Sequence, residues 1–338
     1  MLGCVAATSD TATHELGVLR EGCGLLDRSE RGKLALTGAG AVEFLNGQVT
    51  NELAGLRAGE GRYAAFLTHK GKMLGDLRIL SVAAPDADGD GEASPVELLL
   101  DTERVALQEL FDMIRRFKIG YQVELHKRTL ERGLLSLIGP ESERIAGLGE
   151  AGLPSDEHSS TPAEVEGVHA LAVRTDVGVD LLCDSADTER LQAALLARGA
   201  EPVSEAAAEC LRVEGGRPRF GLDIDATTIP QEAGLNERAV NFTKGCYVGQ
   251  ETVARLFYKG KPNRHLRGLR LSAPAEPRAE LRLGERVVGR LGTVALSPAL
   301  GPIALALVRR EAEPGASLRV GAGGASAEVV ELPFADAG

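Results

Sequence analysis

Short runs with period-two alternation and longer runs with period near 3.6 divide the chain into strand and helix candidates. Lys33 to Leu36 alternates briefly, Thr37-Gly38 turns, and Ala41, Phe44 and Leu45 then share a helical face, so a strand and a helix are expected. "RYAAFLTHKGKMLGDLRILSV" predicts two strands joined at Lys70-Gly71-Lys72, and "VELLLDT" a third. Apolar residues at 105, 107, 110, 111, 114 and 117 predict a helix that stops at Gly120. "YQVELHKRT", "GLLSLIGP" and "VHALAVRTDVGVDLLC" return to strand spacing, and "DTERLQAALLARGA" predicts a helix closed by Gly199. "SEAAAECLRVEGG" predicts another helix starting at Ser204, and one more is expected from Gln250.

Two Gly- and Pro-rich stretches interrupt this pattern. Residues 141–168 are expected to be a surface connection with one short helix, and 217–243 a site border rather than core. Beyond Pro262 only short alternating strands separated by Gly and Pro follow. They predict a small antiparallel barrel over 261–338, after an α+β region over 1–260 expected to comprise two interleaved subdomains.

The 338 residues allow two or three domains at roughly 100–200 residues each, and 43% apolar content supports a sizeable core. A net charge of −11 argues against whole-surface binding to nucleic acid or acidic lipid. No secretory signal and no apolar run near the ~18 residues of a membrane span occur, so a soluble, cytoplasmic protein is expected. The five cysteines are dispersed without a CxxC and the histidines without an HxH or HxxxH spacing, so neither a disulfide framework nor a protein-held metal is expected.

Three segments carry candidate chemistry. Asp86, Asp88, Asp90, Gly91 and Glu97 satisfy a calcium-loop pattern by letter, but they lie between strand candidates and include Pro95, which favours a solvated hairpin tip. Basic runs at 115–128 and 255–270 suit an anionic ligand or are solvated faces. "FTKGCYVGQET" sets Cys246 beside Lys244 and just before a helix start, where amides and ammonium would favour a thiolate. A small packed cysteine is the plain alternative.

"KGCYVGQE" (244–251) resembles the signature of YgfZ-type folate-binding proteins, relatives of the glycine-cleavage aminomethyltransferase. "RGKLALTGAGAVEFLNGQVTNEL", "HKGKMLGDLRI", "LRVEGGRPRFGLDID" and "TIPQEAGL" extend that resemblance over most of residues 25–256. It implies a three-subdomain, aminomethyltransferase-like fold with a small C-terminal β-barrel. Tetrahydrofolate, with or without a polyglutamate tail, is expected in its central hole. The expected function is accessory to iron–sulfur cluster assembly or repair, with iron–sulfur client or assembly proteins as partners and neither a membrane nor sequence-specific nucleic acid. A folate-dependent aminomethyl or methyl transferase is the alternative, and a non-catalytic folate scaffold the second.

Where the transferase has a paired acid, Gly71 to Asp76 retains Asp76 alone, and Lys72 replaces a glycine. The resemblance makes Cys246 and Asp76 the candidate catalytic residues. It assigns folate binding to Asp76, Asp180, Arg212, Glu214, Gln231, Lys244, Gln250 and Glu251.

Overall fold

The structure is a computed structural model that describes residues 9–83, 96–149 and 152–334. It consists of two mixed α/β layers and a closed barrel, in agreement with the expected fold. A five-stranded antiparallel sheet has the order Gly61–Leu67, Met73–Ala83, Val96–Thr102, Gly32–Thr37, Glu124–Lys127. A six-stranded sheet has the order Glu201–Pro202, Gly24–Asp27, Arg132–Ile138, Gly178–Asp184, Val168–Arg174, Ser160–Val165. The strands Arg264–Leu271, Gly301–Arg309, Arg286–Ser297, Glu280–Leu283, Ser317–Val320 and Ala325–Val330 close the barrel.

Alternation along the strands determines what lies between the two sheets. Leu77, Ile79, Leu98 and Leu100 pack into the core beneath the helices Ala41–Asn46 and Leu107–Phe117. Leu80 and Leu99, on the other face, meet Leu134, Leu171, Val173 and Leu182 of the six-stranded sheet. The same faces carry Arg78, Asp101, Ser136 and Asp180, because period two keeps each of them on the side of its i±2 leucine. An apolar seam therefore continues directly into a buried polar one.

Two additional contacts hold the barrel and N-terminus in place. Ser204 accepts from the Ala207 amide and starts the helix Glu205–Glu214 as its sequence predicts. That helix packs Ala207, Ala208 and Cys210 against Leu16 and Leu19 of the helix Ser9–Glu21, and Val213 against barrel residues Leu266, Ile303 and Leu305.

Several local expectations need correction. The N-terminal helix was not anticipated from its weakly apolar sequence. The stretch 141–168 contains the short helix Ser142–Ala146 and also the strand Ser160–Val165, where Pro162 is tolerated because the strand is at the sheet edge. Residues 217–243 are partly core, since Ile224, Ala233, Leu235, Ala239 and Val240 are buried with the five-stranded sheet. All but the last two residues of the acidic stretch 86–97 lie outside the described residues. Among the described residues no helix is long and apolar enough to cross a membrane, and no cluster of His, Cys, Asp and Glu suits a metal ion.

Candidate functional site

A cavity of about 470 Å³ opens where the two sheets, the helix Glu205–Glu214 and the segment 217–220 meet. This is within the roughly 300–1,000 Å³ of small-molecule sites. Ile138, Leu211 and Phe220 supply apolar walls, while Tyr63, Asp76, Arg78 and Asp180 supply polar ones.

Asp76 is 7% exposed, and the Tyr63 hydroxyl donates to its Oδ2 at 2.6 Å. The two residues lie diagonally across the hairpin, Ala65 being the direct partner of Asp76 and Arg78 that of Tyr63. Burial raises the Asp76 carboxyl from 3.8 to about 6, and the Tyr63 hydrogen bond opposes the rise. Burial thus brings the carboxyl's proton exchange up to about pH 6.

Arg78 is directly opposite Asp101 in the strand register, with Nε and Nη2 both 2.6 Å from Asp101 Oδ2. Its Nη1 reaches Asp180 Oδ2 at 2.5 Å, and Ser136, the register partner of Asp180, donates to Oδ1 at 2.6 Å. Burial alone would raise the Asp101 carboxyl, but the guanidiniums of Arg31 and Arg78 reverse this and hold it well below the usual range. This network joins the two sheets, and both oxygens of Asp180 are engaged within it.

Arg212 also lines the cavity, and its guanidinium is fully engaged by the protein. Nη1 contacts Asp223 Oδ2 at 2.7 Å, and Nη2 contacts Glu209 Oε2 and Thr293 Oγ1, each at 2.7 Å. Asp223 in turn accepts from the Thr293 amide, so Arg212 ties its helix to the barrel.

Asp76, Asp180 and Arg212 are thus the predicted site residues that share the cavity. The remaining six are outside its lining. Glu214 pairs with Arg20 at 2.7 Å and lies near Cys210. Gln231 is in a turn whose side-chain Oε1 is buried without a hydrogen bond. Gln250 and Glu251 form the first turn of the helix Gln250–Lys259, and Cys246 is exposed in the loop before it.

Lys244 is the clearest departure from expectation. Its ammonium donates to the carbonyls of Asn46, Val49 and Asn51 at 2.7, 2.8 and 2.6 Å, capping the end of the helix Ala41–Asn46 and the turn after it. Burial lowers its pKa to about 8. It is committed to these carbonyls and not to a thiolate. Gly249 has a different structural reason: with φ 84 it starts the helix against the hairpin turn, where a Cβ would stand 2.5 Å from Thr68 O. Neither basic run contributes a residue to the cavity lining.

Tyr63, Arg78, Asp101 and His158 were not singled out from sequence. Polar Asp76 and Arg78 at i and i+2 in an otherwise apolar strand were the available signal, and His158 had none.

The chain matches the GCVT N-terminal domain over residues 6–244 and the glycine cleavage T-protein C-terminal barrel domain over residues 264–336. It is 32% identical over 338 aligned residues to an aminomethyltransferase of Streptomyces avermitilis, covering 94% of this chain and 87% of that protein. A putative chloroplastic transferase of Arabidopsis thaliana is 28% identical over 297 residues, 85% of this chain and 65% of its own length. The crystal structure of glycine cleavage system aminomethyltransferase T from Bartonella henselae superposes with a TM-score of 0.81 at 24% identity, covering 96% of this chain and 89% of that one. That similarity supports the fold.

Proposed function

We propose that this chain, which belongs to the glycine cleavage T-protein family, is a folate-dependent one-carbon transferase with its site in the central cavity. The name aminomethyltransferase carried by its relatives supports this reading over a purely accessory role. The observation that carries it is Asp76, a buried carboxyl in the cavity wall with a pKa near 6. An acid–base group functions best when its pKa is close to the working pH, and such groups contribute typically 10²–10⁴-fold.

The donor set fits a folate. Ile138, Leu211 and Phe220 can flank a flat heteroaromatic ring, and Asp76 can accept from its N–H groups. Tetrahydrofolate, when bound, supplies the nucleophilic nitrogens that accept the one-carbon unit. Tyr63 orients Asp76, which holds or releases the proton as the donor amine leaves. The Arg78 network fixes the strand that carries Asp76. Consumption of an aminomethyl donor is expected only when tetrahydrofolate is present, with an inflection near pH 6 that Asp76→Asn abolishes. A rate unchanged by Asp76→Asn would refute the assignment.

A second reading, a YgfZ-type accessory protein for iron–sulfur cluster assembly or repair, is supported by "KGCYVGQE" and by Cys246, the exposed one of the four described cysteines. One thiolate cannot hold a cluster that normally takes about four protein ligands, so client or assembly proteins would supply the others. It would be tested by the activity of cluster-dependent enzymes in cells carrying Cys246→Ala.

A further inference from the structure

His158 lines the central cavity, is 6% exposed, and has φ 71, a left-handed conformation uncommon for a residue with a side chain. Its backbone is fixed from two sides. The amide donates to Arg174 O at 3.0 Å, and Gly61 approaches so closely that a Cβ there would stand 2.3 Å from His158 O. The backbone is therefore held in place, yet neither Nδ1 nor Nε2 of the imidazole has a hydrogen-bond partner, although both are buried. Glu157 Oε1, 3.5 Å from Nε2, is already bonded by Arg238. The His158 ring is 6.1 Å from that of Tyr63, over which the Arg238 guanidinium sits at 5.1 Å, and Tyr63 carries the bond to Asp76.

Buried polar atoms almost always find partners, and sparsely populated backbone conformations cluster at ligand sites. Here two unmet ring nitrogens and an unusual backbone coincide on one cavity wall, beside the carboxyl assigned to proton transfer. Burial, then Arg78 and Arg238, push the His158 pKa down to about 3. The ring is thus neutral, with one nitrogen that donates and one that accepts. A carboxylate ligand would gain little from it, and the neighbouring guanidiniums already have carboxylate partners in Glu157, Asp101 and Asp180. A flat, neutral ring edge that alternates donors and acceptors is the matching chemistry.

We propose that His158 is a specificity-determining residue of this cavity, hydrogen-bonding the pterin end of the folate through one of its ring nitrogens. This rests on the folate reading above. The test is calorimetric titration of wild type, His158→Phe and His158→Asn with tetrahydrofolate and, separately, with p-aminobenzoylglutamate, the part of the molecule that lacks the pterin. Asn tolerates the left-handed backbone and keeps a donor and an acceptor, so it decides the matter should the Phe variant fail to fold. For tetrahydrofolate, His158→Phe is expected to bind roughly tenfold to a hundredfold more weakly than wild type. His158→Asn should fall between them, and p-aminobenzoylglutamate should bind all three alike. Equal tetrahydrofolate affinity across all three proteins, or equal losses on both probes, would overturn the role of His158 and leave the folate reading intact. Absence of tetrahydrofolate binding by the wild type would overturn both.

Discussion

At the central cavity, charged side chains bond to one another: Arg78 to Asp101 and Asp180 on strands distant in sequence, and Arg212 to Glu209 on its own helix and to Asp223 in the loop that follows. In the loop 244–251, the polar and glycine residues answer to backbone. Lys244 bonds three carbonyls, and Gly249 lies against the Thr68 carbonyl. Tyr247 from the same loop is buried in the core of the five-stranded sheet. The segment that stands out most in the sequence is therefore largely a latch between a hairpin turn and a helix. The buried carboxyl whose pKa is raised to about 6, Asp76, sits in a strand with little to advertise it. A distinctive motif can record a packing requirement as readily as a reaction.

Substitutions can sharpen or break this contrast. The largest effect should come from Asp76→Asn, which is expected to lower one-carbon transfer by about 10²–10⁴. The same change should stabilise the fold. Asp76 is raised from 3.8 to about 6 on folding, so its ionised form is penalised in the native state. Below about pH 4 the carboxyl is neutral in both states and the penalty is absent. It grows up to about pH 6 and is constant above. Denaturant unfolding at pH 8 should find the variant more stable by about 1–3 kcal/mol, a gap that closes towards pH 4.

Arg78→Met should cost about 3–5 kcal/mol, because it leaves Asp101 and Asp180 buried without their shared cation. Asp101 is held low in the folded state, so the stability it contributes is present above the ordinary carboxylate range and lost as pH falls through its folded value. The gap between wild type and variant should narrow below about pH 4.

Lys244→Met removes a charged donor from three carbonyls and should cost about 2–3 kcal/mol, read from thermal or denaturant midpoints. Cys246→Ala should change stability by no more than about 0.5 kcal/mol and leave transfer unchanged, since the thiol is exposed and bonded to nothing described. A large loss of transfer in Cys246→Ala with Lys244→Met silent would reverse the contrast.

Much of the architecture was legible in the sequence because it is periodic. The hairpin containing Asp76, the strand ending at Thr102, the helix capped by Ser204 and the Gly-punctuated barrel strands all follow from spacing and turn chemistry. The edge strand Ser160–Val165 did not, since its composition is that of a loop and only the neighbouring strand makes it extended. The site was legible in part. Asp76 was found through a resemblance, but what Arg212 and Asp180 do depended on partners from other segments, Asp223 from the loop before the barrel and Ser136 from across the sheet. Lys244 was misread because adjacency to Cys246 in sequence does not say where a four-carbon chain ends. His158 was invisible, since its importance lies in burial and in bonds it does not make.

The most direct measurement is calorimetric binding of tetrahydrofolate to wild type and Cys246→Ala in parallel. If the cavity holds the folate and the loop is a latch, both proteins bind it with the same affinity. No binding by the wild type, or binding lost in Cys246→Ala while the fold is intact, would contradict the placement of the chemistry in the cavity.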